Sequence, residues 1–295
     1  MPSLASAGTN APATEATGTA SATRSKSGAQ SHGARSPRAG AAAHAGIAAH
    51  AQTDADASLA GHHASTCQAF ACQACTVRGL TICGALEPDD QTLLAGLVQH
   101  LSLQPHQSIF QEGDAADYVY TITAGCVAMS KSLADGRRQI TGFMGPGDFL
   151  GLAVEDENHY SAEALSPTHL CRYPRQRFRA VMQSVPALEQ RLYALAADEL
   201  ALAQEQILLL GRKTALERLA TFLLMMRRRA QQRGLPTNPL RLSMARADVA
   251  DYLGLTVETV SRGFSKLRAM GAITLDSAEL VRLAKPALLQ ELSGT

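Results

Sequence analysis

The sequence predicts an α+β protein with an N-terminal antiparallel β-roll, a long helix and a C-terminal winged helix-turn-helix. Residues 105–174 consist of short alternating apolar and polar runs separated by turn signals, which is typical of antiparallel strands. Residues 185–212 change to an apolar period of three and four, which predicts a helix. Residues 246–270 predict two helices joined by a glycine turn, and the closing stretch AITLDSAELVRLA predicts two short strands around a turn.

Composition divides the chain into five predicted segments. They are an extension over residues 1–60, a cysteine-rich segment over 61–86, the β-roll over 87–184, the long helix over 185–212 and the winged helix-turn-helix over 213–295. The extension is mostly Ala, Ser, Thr and Gly, and no aromatic residue precedes Phe70. Because such a segment cannot bury enough apolar area to offset its chain entropy, we expect it to be disordered.

The chain contains no signal for a membrane or for export. It has no apolar run long enough to cross a bilayer, and its first residues lack a basic start followed by an apolar stretch. We therefore expect a cytoplasmic protein with no membrane partner. Structural disulfides are rare in a reducing cytosol, so the cysteines are expected to serve metal or redox chemistry.

The net charge of +1 conceals an uneven distribution. Residues 211–295 carry fourteen Lys and Arg against seven Asp and Glu, whereas residues 1–210 carry thirteen against nineteen. A basic C-terminal part joined to an acidic N-terminal part is typical of a nucleic-acid-binding module attached to another domain. An ordinary solvated helical surface would give a similar count.

Within the β-roll, Asp135-Gly136 is a strong hairpin signal, and the stretch GPGD at residues 145–148 marks a further turn. In the long helix, six residues follow a heptad seam, namely Tyr193, Ala196, Leu200, Ala203, Ile207 and Leu210. A seam of this length, with little nearby to pack on, favours a partner helix from a second chain and predicts a homodimer. A helix that faces the core of its own chain is the alternative.

The stretch RADVADYLGLTVETVSRGFSKLR contains the pattern of a helix-turn-helix. Gly254 permits the left-handed turn between the two helices, and Thr256 is a good N-cap for the second. A buried stripe is predicted for the second helix, consisting of Val257, Val260, Phe264 and Leu267. The opposite face presents Glu258, Ser261 and Arg262, side chains that read base edges in the major groove. An exposed polar face without a partner is the alternative to DNA binding.

Four of the six cysteines lie between Cys67 and Cys83. Cys72 and Cys75 form a CxxC pair, and Cys83 follows after seven intervening residues. Thiolates are the usual ligands of iron–sulfur clusters, and they also bind zinc. The spacing of Cys67, Cys72 and Cys75 overlaps that of plant-type [2Fe–2S] proteins, so a local site of four cysteines, with iron or zinc, is also possible.

The chain resembles the FNR branch of the CRP/FNR family of bacterial transcription regulators. YLGLTVETVSR is similar to the recognition motif of that branch, and QITGFMGPGDFLGL, EQILLLGRK and ERLATFLL also resemble it. The resemblance covers residues 72–289 and implies a β-roll of the cyclic-nucleotide-binding (double-stranded β-helix) type, a dimerisation helix and a winged helix. It also implies that Glu258, Ser261 and Arg262 read an inverted repeat of TTGAT half-sites.

The same resemblance implies an oxygen-sensing [4Fe–4S] cluster held by three clustered cysteines and a distant one in the β-roll. The clustered ligands would be Cys72, Cys75 and Cys83, and the stretch HLCRYP indicates Cys171 as the distant ligand. Cys67 would be a spare thiol. The sixth cysteine, Cys126, follows a glycine in a predicted strand and is expected in the core. The alternative is a regulator whose cysteines form a zinc or thiol-redox site that senses nitric oxide or oxidants.

Cyclic nucleotide is not expected as the signal. A cyclic phosphate buried in a β-roll needs a cation, and relatives that bind one place an Arg before a Ser or Thr. Here His159 and Tyr160 precede Ser161, and an unpaired buried phosphate would be costly.

Two further expectations concern partners and activity. RNA polymerase is an implied partner, through residues 135–138 and 227–238. No nucleophile–base pair, phosphate loop or cofactor fingerprint is visible in the sequence, so we do not expect an enzyme.

Overall fold

The computed structural model describes residues 72, 74–152 and 156–294, which belong to one compact unit. The predicted extension over residues 1–60 and the spare thiol Cys67 lie outside the described residues. The cysteine-rich segment forms two short 3₁₀ turns, Arg78–Leu80 and Ile82–Ala85, followed by helix α1 (Pro88–Ala95). Helix α1 was not predicted, although Pro88 at its first position and Asp89 and Asp90 in its first turn are helix-start signals.

Eight strands form the β-roll in two antiparallel sheets. They are β1 (Gln99–Leu103), β2 (Ser108–Phe110), β3 (Tyr118–Ala124), β4 (Val127–Ser132), β5 (Arg138–Met144), β6 (Phe149–Leu150), β7 (Ser161–Ala164) and β8 (Thr168–Pro174). The first sheet has the order β1-β8-β3-β6 and the second the order β2-β7-β4-β5. The predicted roll is confirmed, and its first strand, Gln99–Leu103, lies before the alternating pattern that begins at residue 105.

Two helices follow the roll and connect it to the C-terminal domain. Helix α2 (Arg175–Ser184) was not predicted as a separate element, and Val185 separates it from α3 (Pro186–Arg212). Pro186 at the start of α3 and Arg212 in its last turn suit the two ends of a helix. No helix in the described ranges is both long enough and apolar enough to span a membrane.

The C-terminal domain is a winged helix-turn-helix, as predicted. Its elements are α4 (Ala215–Gln232), β9 (Leu240–Arg241), α5 (Arg246–Leu253), α6 (Val257–Ala269), β10 (Ile273–Leu275), β11 (Leu280–Leu283) and α7 (Pro286–Ser293). Helix α7 was not predicted, because the predicted wing was the last element expected in the chain. Pro286 at the start of α7 and the left-handed Gly294 just after its end were available signals.

The β-roll contacts the C-terminal domain directly. Arg138 of β5 pairs with Asp248 at 2.8 Å and with Asp251 at 3.0 Å, both on α5. Asp148, in the turn before β6, pairs with Arg229 at 3.1 Å and also with Arg233, both on α4. Apolar contact accompanies these ion pairs, because the rings of Phe143, Phe222 and Tyr252 pack together across the same boundary.

Arg138→Ala should lower the free energy of unfolding by about 1–3 kcal/mol, because it leaves the mostly buried Asp248 carboxylate without its cation. Denaturant titration measures this change. Arg137→Ala is the matched control, since Arg137 pairs only with exposed Asp135 in the structure, and its effect should stay within about 0.5 kcal/mol. Equal effects of the two substitutions would show that the contact between roll and helix contributes little.

Candidate functional site

The four cysteines predicted as metal ligands line one cavity of about 370 Å³. Cys72 and Cys75 come from the start of the described chain, Cys83 from the second 3₁₀ turn, and Cys171 from the middle of β8. The fold therefore brings Cys171 to three thiols that lie about a hundred residues earlier in the chain. In the described part of the chain, no three His, Cys, Asp or Glu side chains converge closely enough to hold a single metal ion.

The cysteine-rich segment is held against the rest of the protein at several points. Ile82 is fully buried in a core that includes Phe149 and Leu188. The guanidinium of Arg191, on α3, donates a hydrogen bond to the Leu80 carbonyl at 2.9 Å. The Thr81 hydroxyl accepts from the Cys83 amide at 3.2 Å, which caps the second 3₁₀ turn. The segment thus connects the thiols to α3.

Burial and mutual proximity raise the pKa of three of these thiols, Cys72, Cys83 and Cys171. Burial raises the pKa of Cys83, and burial together with the neighbouring Cys83 and Cys75 raises the pKa of Cys72. Burial and then the other three thiols raise the pKa of Cys171 to about 12. Thiolates are the metal-binding form, and four of them here would repel one another. A bound positive group is what would stabilise the deprotonated set.

Cys126, the fifth described cysteine, lies apart from this set. Cys126 is half-buried against the core that the roll shares with the C-terminal domain, and burial raises its pKa to about 12. It does not line the cavity. The sequence analysis did not single out three polar residues that line the same cavity, His100, Thr121 and Tyr173. Their positions opposite and beside Cys171 depend on strand register, which the sequence alone does not reveal.

Two hydroxyls next to His159, where no cyclic-phosphate site is predicted, accept hydrogen bonds from the backbone. The Tyr160 hydroxyl accepts a hydrogen bond from the Gly151 amide at 3.1 Å. The Ser161 hydroxyl accepts from the Glu112 amide at 3.0 Å. The absence of cyclic nucleotide binding stays a prediction.

Helix α6 presents the three predicted base-reading residues to solvent. The Arg262 guanidinium pairs with the Glu258 carboxylate at 2.7 Å, and both side chains are exposed. The Ser261 hydroxyl donates to the Val257 carbonyl at 2.8 Å. Gly254 has φ of 60° and ends α5 in the left-handed conformation, while Thr256 caps α6 by accepting from the Thr259 amide. The geometry expected of the turn is therefore present.

The predicted buried stripe of α6 was wrong in one member. Val260, Phe264 and Leu267 are buried, but Val257 is 47% exposed. Val257 is the first residue of the helix and lies at the turn, before the helix reaches the core. It therefore belongs to the exposed end of α6, close to the side chains that are predicted to read bases.

The predicted seam on α3 is largely an uncovered apolar surface. Tyr193 is 74% exposed, Leu200 61% and Ile207 72%, and Ala196 and Ala203 are exposed as well. Leu210 differs, because it is half-buried against the core of the C-terminal domain and lies close to Gly254. A row of large exposed apolar side chains on one helix is typical of an interaction surface.

Comparison with known proteins agrees with this architecture. Residues 100–185 match the cyclic nucleotide-binding domain family, and residues 217–292 match the Crp-like helix-turn-helix domain family. The transcriptional activatory protein AadR of Rhodopseudomonas palustris is 43% identical over 204 residues, which cover 69% of this chain and 85% of AadR.

Two further proteins are similar over most of their length. The transcriptional activator protein FnrL of Cereibacter sphaeroides is 34% identical over 227 residues, covering 76% of this chain and 92% of FnrL. The solved structure of FixK2 from Bradyrhizobium japonicum is similar with a TM-score of 0.64 and 37% identity, covering 68% of this chain and 98% of FixK2.

Proposed function

The chain belongs to the CRP/FNR family of DNA-binding transcription regulators, and we propose that it is an oxygen-responsive activator that controls anaerobic or microaerobic genes. Its matched domains and relatives are those of regulators and not of enzymes. Activation is supported by the names of AadR and FnrL, which both describe activators. The proposed signal is the integrity of a [4Fe–4S] cluster on Cys72, Cys75, Cys83 and Cys171.

One observation carries the sensing proposal, namely that these four thiols line the same cavity although Cys171 is far from the others in sequence. The donor set fits the group, because [4Fe–4S] clusters are held by four cysteine thiolates. Thr121 adds to the fit, since its buried hydroxyl has no hydrogen-bond partner among the described residues, and sulfur in the cavity would supply an acceptor. When bound, such a cluster supplies iron–sulfur bonds that oxidants break.

Contacts between the cysteine-rich segment and α3 support a proposed coupling between the thiol cavity and the predicted dimer seam. Ile82 and Leu80 of the cysteine-rich segment contact α3 through the shared core and through Arg191. Helix α3 carries the exposed seam of Tyr193 and its neighbours. We propose that holding the segment in place favours pairing of α3 with the α3 of a second chain, and that releasing the segment weakens this pairing.

Iron and sulfide analysis of anaerobically purified protein tests the proposal. We expect about four of each per chain and an absorbance that bleaches in air. One zinc and no sulfide would support the alternative of a zinc site, and the absence of both metals would support a thiol switch. Either result would overturn the proposal of a cluster.

Binding to duplex DNA would use α6 in the major groove, with Glu258, Ser261 and Arg262 reading the TTGAT half-sites of an inverted repeat. A dimer places two such helices about one helical turn apart, which an inverted repeat requires. RNA polymerase is the proposed second partner. Of the surfaces proposed for it, Asp135, Arg137 and Leu235 are exposed, whereas Arg138 and Arg233 are engaged by ion pairs within the chain.

Arg262→Ala should weaken binding to a TTGAT inverted repeat by about 1–3 kcal/mol per half-site, because a bidentate contact to guanine is lost. Binding to random DNA should change little. Titration of both DNA molecules at one salt concentration measures the difference. Arg282→Ala, in the wing, is a matched control, since Arg282 is a partly exposed arginine paired to Asp276. Equal losses on both DNA molecules would show that Arg262 contacts only phosphate.

A further inference from the structure

Cys171 lies in a row of polar residues that crosses three strands. In the strand register, Cys171 of β8 is directly opposite His100 of β1 on one side and Thr121 of β3 on the other. Residues directly opposite one another project from the same face of a sheet. Tyr173 lies two residues further along β8 and returns to that face. All four residues line the cavity of the predicted ligands.

Thr121 is the unusual member of this row. Its side chain is 1% exposed, and its hydroxyl oxygen has no hydrogen-bond partner within the described ranges. A buried hydroxyl without a partner is unfavourable, and native proteins rarely retain one without a use. Since Thr121 borders the cavity, the missing acceptor is expected inside the cavity.

The other two residues lie beside sulfur. Tyr173 is buried and lines the cavity together with Cys83 and Cys171. The Nδ1 atom of His100 lies 3.7 Å from the Cys171 sulfur. Three potential donors therefore surround the one predicted ligand that the roll itself supplies.

We propose that Thr121, Tyr173 and His100 are positioning residues that donate hydrogen bonds to sulfur in this cavity and so set how long the bound cluster survives oxygen. This inference rests on the proposed function. Hydrogen bonds to the sulfurs are among the factors that set the reduction potential of an iron–sulfur cluster. Loss of a residue that supports a metal ligand typically changes affinity or activity 10- to 100-fold, by order of magnitude. Thr121 provides the clearest test of the proposal, because its hydroxyl has no hydrogen-bond partner in the described chain.

The test is Thr121→Val, which removes the hydroxyl with little change in shape. In the apo protein the thermal midpoint should stay the same or rise, because an unpaired hydroxyl is no longer buried. In the loaded protein the cluster absorbance should decay roughly 10-fold faster in air. These opposite effects distinguish a donor to sulfur from simple packing damage, which would lower stability in both forms.

Two variants control the experiment. Thr121→Ser keeps a hydroxyl and should retain a decay rate close to that of the wild type. Thr141→Val makes the same substitution in the second sheet, where the hydroxyl already donates to the Met129 carbonyl at 3.3 Å, and should not change the decay rate. Tyr173→Phe removes a second hydroxyl from the cavity and should also accelerate decay of the cluster absorbance. It tests the hydrogen-bonding proposal independently if Thr121→Val does not fold.

Different results would overturn the proposed cluster and the proposed hydrogen bonds to its sulfur. If the wild type contains iron and sulfide but Thr121→Val and Tyr173→Phe decay at the wild-type rate, the hydrogen-bonding inference is wrong and the cluster proposal stands. If anaerobically purified wild type contains no iron, both are overturned.

Discussion

Cys171→Ser should abolish iron binding and anaerobic DNA binding together. Serine removes one thiolate from the set, so a cluster iron would be left without its protein ligand. Cys171 is also the only ligand in the described set that belongs to the roll, so its loss would remove the proposed cluster link between the cysteine-rich segment and β8. Iron and sulfide content, absorbance under nitrogen and DNA binding of the same preparation measure the three consequences.

Cys126→Ser is the matched control for packing. Cys126 is also a thiol of the roll, half-buried where Cys171 is buried, but it does not line the cavity, so iron content should remain close to that of the wild type. Cys72→Ser, Cys75→Ser and Cys83→Ser should behave like Cys171→Ser, and Cys67→Ser should be nearly silent. If Cys67→Ser loses the cluster while Cys171→Ser keeps it, the site is local to the cysteine-rich segment and the distant ligand is wrong.

Ala203→Leu should produce dimers that no longer depend on the cluster. Ala203 lies on the exposed seam of α3 between Leu200 and Ile207, where a methyl group buries little apolar area. Leucine would add about 2 kcal/mol of burial per helix once the seam is paired. We expect the wild type to be largely monomeric in air and dimeric when the cluster is bound, and the variant to be dimeric in both conditions. Sedimentation in air and under nitrogen measures this.

Ala203→Asp should have the opposite effect, because the dimer would place two carboxylates against each other at the seam. It should remain monomeric even under nitrogen. Ala194→Leu is the control, since Ala194 is an exposed alanine of the same helix outside the seam and should not change the assembly. A wild type that is fully dimeric in air at micromolar concentration would exclude control by dimerisation. The signal would then act by reorienting α6.

Local patterns were sufficient for the elements that depend on neighbours in sequence. Gly254 and Thr256 determine the turn and cap of the helix-turn-helix through their own backbone and side-chain preferences, and both lie where the sequence predicts. The seam of α3 follows from its period of three and four. Short helices such as α1 and α7 were missed because few residues carry their pattern, so mainly the residues at their ends indicate them.

By itself, the sequence determined the order of the structural elements, and it identified the candidate base-reading side chains and the candidate thiol ligands, because each of these is a matter of residue type and local spacing. Only the tertiary structure decided which groups meet. Antiparallel register places Thr121 and His100 on either side of Cys171, and folding of the cysteine-rich segment onto α3 joins Leu80 to Arg191. Packing of α5 on the roll brings Asp248 and Asp251 within ion-pair distance of Arg138. Such contacts join residues that lie tens of positions apart, and they form only when burial of the shared core offsets the entropy of closing long loops.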